Sequence, residues 1–147
     1  MTSYDFHGLE TIQCMVERRK GGESGVQWLQ TYRGESFWKA YVEGIWSHAL
    51  VQAALSRSST LRPGDPSFSN ILPTTKQMKA MVPDPVAYQY QHRDGLRSTM
   101  ILMNGMVRDF TFAATIDGQS KPFSTQMYLP MPDGRTTLAR LLQPSGL

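Results

Sequence analysis

The chain has 147 residues, of which 40% are hydrophobic and 18% charged, a composition that excludes a largely disordered protein and fits one folded domain over residues 1–147. Fifteen basic residues exceed twelve acidic ones by a net charge of +3, and this small excess argues against a nucleic-acid-binding protein. No stretch approaches the roughly 18 consecutive apolar residues of a membrane span, and the start of the chain lacks the pattern of a signal peptide. We therefore expect a cytoplasmic protein without a membrane partner, in which the single cysteine, Cys14, fills a buried helical position.

The first half of the chain predicts helices around one strand. Apolar residues spaced three and four apart indicate an amphipathic helix from Gly8 to Arg19, and Gly21-Gly22 supplies its stop. Residues typical of strands follow from Val26 to Tyr32. Residues 36–58 then predict two helical pieces, the second of which begins after Ser47 as its N-cap.

The second half of the chain predicts an antiparallel meander. Residues 58–73 are rich in Ser, Pro and Gly and predict a mobile loop, a short helix is expected from Thr74 to Met81, and residues 130–147 predict an irregular tail. Three dipeptides typical of tight hairpin turns separate the strands: Asp94-Gly95, Asn104-Gly105 and Asp117-Gly118. The predicted strands are Val86–Arg93, Leu96–Met103, Met106–Ile116 and Phe123–Leu129.

These elements predict an α+β fold with an open, mainly antiparallel sheet of about four to six strands and with helices packed on one face. The middle of the sheet is apolar on both faces, because both alternating residue sets of Leu96–Met103 contain large apolar side chains. An uncovered apolar face usually marks an interaction surface. We therefore expect a homo-oligomer that associates through the sheet face, or a partner domain in the same place.

Two motifs carry a resemblance to a known family. The first is Asp5-Phe6-His7 leading into an apolar helix and a Gly-rich break, and the second is the hairpin segment from Tyr90 to Ser98 around Asp94-Gly95. Together they resemble the C-terminal domain of the glucose-fructose oxidoreductase/inositol dehydrogenase (Gfo/Idh/MocA) family, over about Tyr4–Tyr32 and Val86–Gly118. The resemblance implies an oxidoreductase-like domain with an open sheet, used for sugar-type substrates and for oligomer contacts.

The resemblance also implies site residues. It maps the catalytic histidine of the family onto His7 and the acidic companion of that histidine onto Asp5, and we expect Tyr90 and His92 to contribute to substrate binding. The family usually separates the acid and the histidine by three residues, whereas one residue separates them here, so their side chains need not face one site. The general-base role of His7 competes with a simpler one, in which a histidine near a helix start bonds backbone or solvent.

The cofactor prediction follows from a missing motif. Nowhere does a strand lead into Gly-x-Gly-x-x-Gly and then a helix, so the chain lacks a nucleotide-binding half, and NAD(P) would require a separate nucleotide-binding domain or partner chain. The spacing of Cys, His, Asp and Glu suggests no metal site either.

Three functions stay open at this point. The chain is an oxidoreductase-like substrate domain that is not catalytic alone, a non-catalytic homo-oligomeric module, or a nucleic-acid binder that stacks bases on Tyr88 and Tyr90 beside Arg93 and Arg97. The first predicts an open, polar-lined cleft around His7, in which this side chain relays a substrate hydroxyl proton. The second predicts a sheet face buried by a second copy, and the third requires the two tyrosines to be exposed.

Overall fold

The computed structural model describes residues 3–63 and 72–127, and within these ranges the chain forms four helices and five strands. In chain order they are α1 Ser3–Val16, β1 Val26–Arg33, α2 Glu35–Val42, α3 His48–Leu55, α4 Thr75–Met81, β2 Val86–His92, β3 Arg97–Leu102, β4 Phe110–Ala114 and β5 Phe123–Met127. The α+β class and the open antiparallel sheet are therefore confirmed. Residues 64–71 of the predicted loop and all of the predicted tail 130–147 lie outside the described residues.

The strands divide into two antiparallel sheets. One sheet has the order β1-β2-β3, and β4 pairs with β5 in the other. Tyr88 of β2 lies between Thr31 of β1 and Met100 of β3, which fixes the register of the larger sheet. The central strand β2 is buried along nearly its whole length, as expected for a strand that is covered on both faces.

Helices cover both faces of β2, whereas the sequence predicts them on one face. Val86, Tyr88 and Tyr90 point to one face and Ala87 to the other, since successive strand residues alternate. The buried members of the first cluster, here called the α1 cluster, are Ile12, Val16, Val86, Tyr88, Tyr90 and Met100. Those of the second, the α2 cluster, are Phe37, Trp38, Ala40, Tyr41, Trp46, Leu55, Met78, Val82, Ala87, Met103 and Met106. The apolar side chains of β2 that were expected to meet a partner are thus buried by this chain itself.

The β2–β3 hairpin differs in detail from the predicted two-residue turn. The Gly95 N–H donates to the His92 carbonyl at 3.0 Å, so the central residues of the turn are Arg93 and Asp94. Gly95 follows them with a φ of 90°, a conformation that glycine adopts without strain.

The strand predicted over Met106–Ile116 is observed only as β4, Phe110–Ala114, and it does not pair with β3 to continue the meander. The N–H groups of Met106 and Val107 both donate to the Met103 carbonyl, and the Met106 carbonyl accepts from the Arg62 N–H at 2.8 Å. Met106 is only 1% exposed within the α2 cluster. The chain therefore turns into the core after β3, and β4 begins at Phe110 in the second sheet.

Local helix signals agree with the structure more closely. Ser47 caps α3 by accepting a hydrogen bond from the Leu50 N–H at 3.3 Å, as predicted. The first helix begins at Ser3, before the predicted start at Gly8.

Cys14 is exposed rather than buried, because it lies on the side of α1 away from the sheet. In the described part of the chain, no helix combines the length and apolarity needed to cross a membrane.

Candidate functional site

A buried polar cluster joins the first turn of α1 to the sheet. The Tyr88 hydroxyl donates to Asp5 Oδ2 at 2.9 Å and accepts a hydrogen bond from Arg33 Nη2 at 2.8 Å. Asp5 is 4% exposed and Tyr88 is 6% exposed, whereas Arg33 reaches solvent. The Asp5–Tyr88–Arg33 cluster thus runs from a buried carboxylate to an exposed guanidinium.

Helix and strand periodicity explain why these three side chains meet. Asp5 lies seven residues before Ile12, which is about two helical turns, so both point from α1 towards the sheet. On β1, Arg33 follows Thr31 by two residues and therefore points to the same face. Because Thr31 lies opposite Tyr88, that face is the one on which Tyr88 contacts α1.

The electrostatics of the cluster suit Arg33 to binding a ligand and do not suit Tyr88 to transferring its proton. Burial raises the pKa of the Tyr88 hydroxyl, the hydrogen bond to Asp5 raises it further, and the charge of Arg33 only partly opposes these effects. Tyr88 therefore keeps its proton at neutral pH and remains a donor to Asp5. The Arg33 guanidinium lies 5.8 Å from the centre of the Tyr88 ring and donates to the hydroxyl, and these two contacts restrict its orientation.

Arg33 retains the capacity to bind a ligand. A guanidinium has five N–H donors in a planar fork that matches a carboxylate or a phosphate. Within residues 3–63 and 72–127, the Arg33 guanidinium makes one hydrogen bond, to Tyr88. An exposed and oriented cation of this kind can accept an anionic group from solution.

His7 lies apart from this cluster. Its Nδ1 is 3.0 Å from Glu10 Oε2, its side chain is 50% exposed, and the Phe6 ring packs against it edge-on. Because a helix turns about 200° over two residues, Asp5 and His7 point to opposite sides of α1. The structure therefore does not bring the two predicted catalytic residues together, and the one-residue spacing in the sequence already indicated this.

Tyr90 and His92 share a face of β2 with Tyr88 but are enclosed. They are 5% and 1% exposed, and their ring centres are 5.3 Å apart. His92 Nδ1 lies 3.2 Å from Glu23 Oε1, while its Nε2 has no hydrogen-bond partner among the described residues. Hydrogen bonds from the Gln13 side chain and the Gly25 N–H, with a smaller effect of His92, lower the pKa of Glu23 to about 2. Neither predicted substrate-binding side chain is open to a ligand in this arrangement.

The site residues predicted from the sequence do not include Arg33, which was noted only beside an aromatic-rich stretch, and Tyr88 was assigned a different role. The predicted strand ends at Tyr32 and so excludes Arg33 from β1, although its position two residues after Thr31 is the signal that places it on the α1 side. Tyr88 and Tyr90 lie beneath α1, so the exposed tyrosine surface required for stacking bases does not exist. Arg97 instead lies 5.9 Å from the Trp28 ring centre.

Metal binding finds no support in the geometry of the described residues. Within residues 3–63 and 72–127, no group of three or more His, Cys, Asp or Glu side chains converges on a possible ion position.

Comparison of the chain with family models, with curated proteins and with solved structures finds no match. The resemblance to the oxidoreductase family accordingly rests on the sequence motifs alone.

Proposed function

We propose that this chain is a substrate-binding domain of the oxidoreductase-like type, not catalytic alone, that receives the anionic group of a small ligand at Arg33. The observation that carries the proposal is the Asp5–Tyr88–Arg33 cluster, in which two buried side chains hold one exposed guanidinium in place. The preference for an anion follows from the donor fork of arginine.

The same geometry argues against catalysis by this chain alone. His7 and Asp5 face opposite sides of α1, and Tyr88 holds its proton at neutral pH. A redox reaction would therefore take NAD(P) and its proton-transfer group from a separate nucleotide-binding chain, with Arg33 positioning the substrate.

Calorimetric titration with gluconate, glucose 6-phosphate and uncharged inositol tests the proposal. We expect one or both anions to bind and inositol to bind at least about tenfold more weakly, because one charge-assisted interaction is worth about 1.5–3 kcal/mol. Arg33→Met should weaken anion binding by about the same factor. Arg18→Met removes an exposed cation from the region after α1, away from the cluster, and should leave the affinity unchanged.

Two outcomes would contradict the proposal. One is an Arg33→Met variant that binds the anions as well as the unmodified chain does. The other is a folded, unmodified chain that binds neither anion. Circular dichroism of each variant would show that a lost signal reflects the site rather than the fold.

A further inference from the structure

The outer edge of β1 carries backbone groups that do not pair with β2. The Thr31 carbonyl accepts a hydrogen bond from the Gln30 side-chain amide at 3.0 Å, and the Arg33 N–H donates to Ser36 Oγ at 2.9 Å. Both groups therefore point away from β2. Because alternate residues of a strand direct their backbone groups to the same side, the N–H and C=O of Leu29 also point outward.

Caps protect only one end of this edge. Ser36 and the Gln30 side chain satisfy groups at Arg33 and Thr31, while in the described ranges β1 pairs with β2 alone. Among residues 3–63 and 72–127, no group hydrogen-bonds to the Leu29 N–H or C=O or to the Thr31 N–H. Unpaired groups of this kind form a template for another strand.

The side chains of β1 do not block such pairing. Arg33 is its one charged residue, and the strand has no Pro, Lys or acidic residue, which proteins commonly use to protect sheet edges. Leu29 is 55% exposed and Val26 is 49% exposed. The strand has a bulge between Val26 and Trp28, so that Val26 lies opposite His92 and Leu29 opposite Tyr90. The Val26 and Leu29 side chains therefore lie on the same face of the sheet.

We propose that β1 pairs antiparallel with β1 of a second copy of this chain, across a two-fold axis close to Leu29–Thr31. Because of the two-fold symmetry, the outward N–H groups of each β1 face the outward C=O groups of the other. The two three-stranded sheets then join into one continuous sheet. An axis there places Arg33 opposite an uncharged residue near the start of the partner strand, so like charges do not meet. It also brings the exposed Leu29 side chains of the two copies near each other on one face of the joined sheet.

This interface differs from the sheet face expected from the sequence, and it does not depend on the proposed ligand site. The Arg33 side chain stays bonded to Tyr88 on the α1 side, whereas the pairing uses backbone groups at the edge. Loss of ligand binding and loss of association can thus be observed separately.

Light scattering on the full chain from micromolar to millimolar concentration tests the interface. We expect the molar mass to rise from 16.6 kDa towards twice that value. Leu29→Lys should raise the dissociation constant at least about tenfold, since it places two like charges near the axis. Val42→Lys introduces the same positive charge at a residue that is 71% exposed on α2, and this variant should dimerise like the unmodified chain.

Amide hydrogen exchange supplies an independent readout, because dimerisation should slow exchange at Leu29 and Thr31 as concentration rises. A mass that stays at the monomer value throughout would overturn the proposal. So would a Leu29→Lys variant that dimerises normally, or a dimer whose Leu29 and Thr31 amides exchange at the monomer rate.

Discussion

The Asp109 carboxylate shows how one residue can join segments that are distant in the chain. Its Oδ1 accepts hydrogen bonds from Ser58 Oγ at 2.6 Å and Thr60 Oγ1 at 2.9 Å. Its Oδ2 accepts from the Ser59 N–H and from Gln126 Nε2, both at 2.8 Å. The carboxylate thereby connects the segment after α3 to the β4–β5 hairpin. Removing the carboxylate would remove hydrogen bonds that attach both strands of this hairpin to that segment.

We expect the contribution of Asp109 to stability to depend on pH. Burial alone would raise its pKa, but the hydrogen bonds from Ser58, Ser59 and Thr60 outweigh that effect and lower it. Because the folded pKa lies below the unfolded value of about 3.9, the stabilisation is fully present above the unfolded pKa and is lost as pH falls through the folded pKa. Asp109→Asn should therefore cost about 1–3 kcal/mol above pH 5, and less at lower pH.

Urea unfolding from pH 7 down to the acid transition measures this dependence. Asp117→Asn is the matched control, because Asp117 is exposed in the β4–β5 connection and the same chemical change should have little effect there. A free-energy difference between the Asp109 variant and the unmodified chain that stays constant below pH 4 would contradict the prediction.

Residue-level prediction of the candidate site was limited by long-range contacts. The sequence identified Asp5 through a motif, but the partners of Tyr88 lie 83 residues away at Asp5 and 55 residues away at Arg33. Only the strand register and the placement of α1 on the sheet bring them together. Local spacing was still informative, since it showed that Asp5 and His7 need not share a side of the helix.

Among the secondary elements, turns and caps were the best predicted because their determinants are local. Ser47 and the three Asp-Gly or Asn-Gly dipeptides mark real boundaries, and Gly95, Gly105 and Gly118 all have positive φ. The strand after Asn104-Gly105 was predicted less well. Its pairing depends on Met106, whose burial in the α2 cluster draws the chain away from β3, and a turn motif contains no information about that contact.

Gly105 provides a test of this turn. It has a φ of 101°, and a Cβ at this position would overlap the Met81 carbonyl oxygen, a backbone atom of the last residue of α4. Gly118→Ala is the matched control, since Gly118 also has positive φ but an added Cβ there would have nothing within 4 Å. We expect Gly118→Ala to cost about 1 kcal/mol of unfolding free energy and Gly105→Ala about 3 kcal/mol or more. Equal costs in denaturant unfolding would show that Met81 moves aside freely.

At the scale of the whole molecule, β2 is the element that both hydrophobic clusters share. Its alternating side chains supply Tyr88 and Tyr90 to the α1 cluster and Ala87 to the α2 cluster. The sequence predicted apolar side chains on both faces of the middle of the sheet, and buried apolar side chains do lie on both faces. It could not show what covers them, because a helix of the same chain and the surface of a partner impose the same pattern on a strand.

A shared central strand should make the two clusters unfold together. Met100 is 4% exposed in the α1 cluster, so Met100→Ala should cost about 2–5 kcal/mol. In a Trp28→Phe background the remaining tryptophans, Trp38 and Trp46, both belong to the α2 cluster, and their fluorescence reports that cluster alone.

If β2 couples the clusters, Met100→Ala should lower the denaturant midpoint of this fluorescence and that of the far-ultraviolet circular dichroism by the same amount. Val42→Ala, at an exposed position of α2, should move neither midpoint appreciably. A fluorescence midpoint that stays in place while the circular dichroism signal shifts would show that the α2 cluster folds without α1. Coincident shifts would mean that the stability of the Asp5–Tyr88–Arg33 cluster, which depends on α1, is tied to that of the entire sheet.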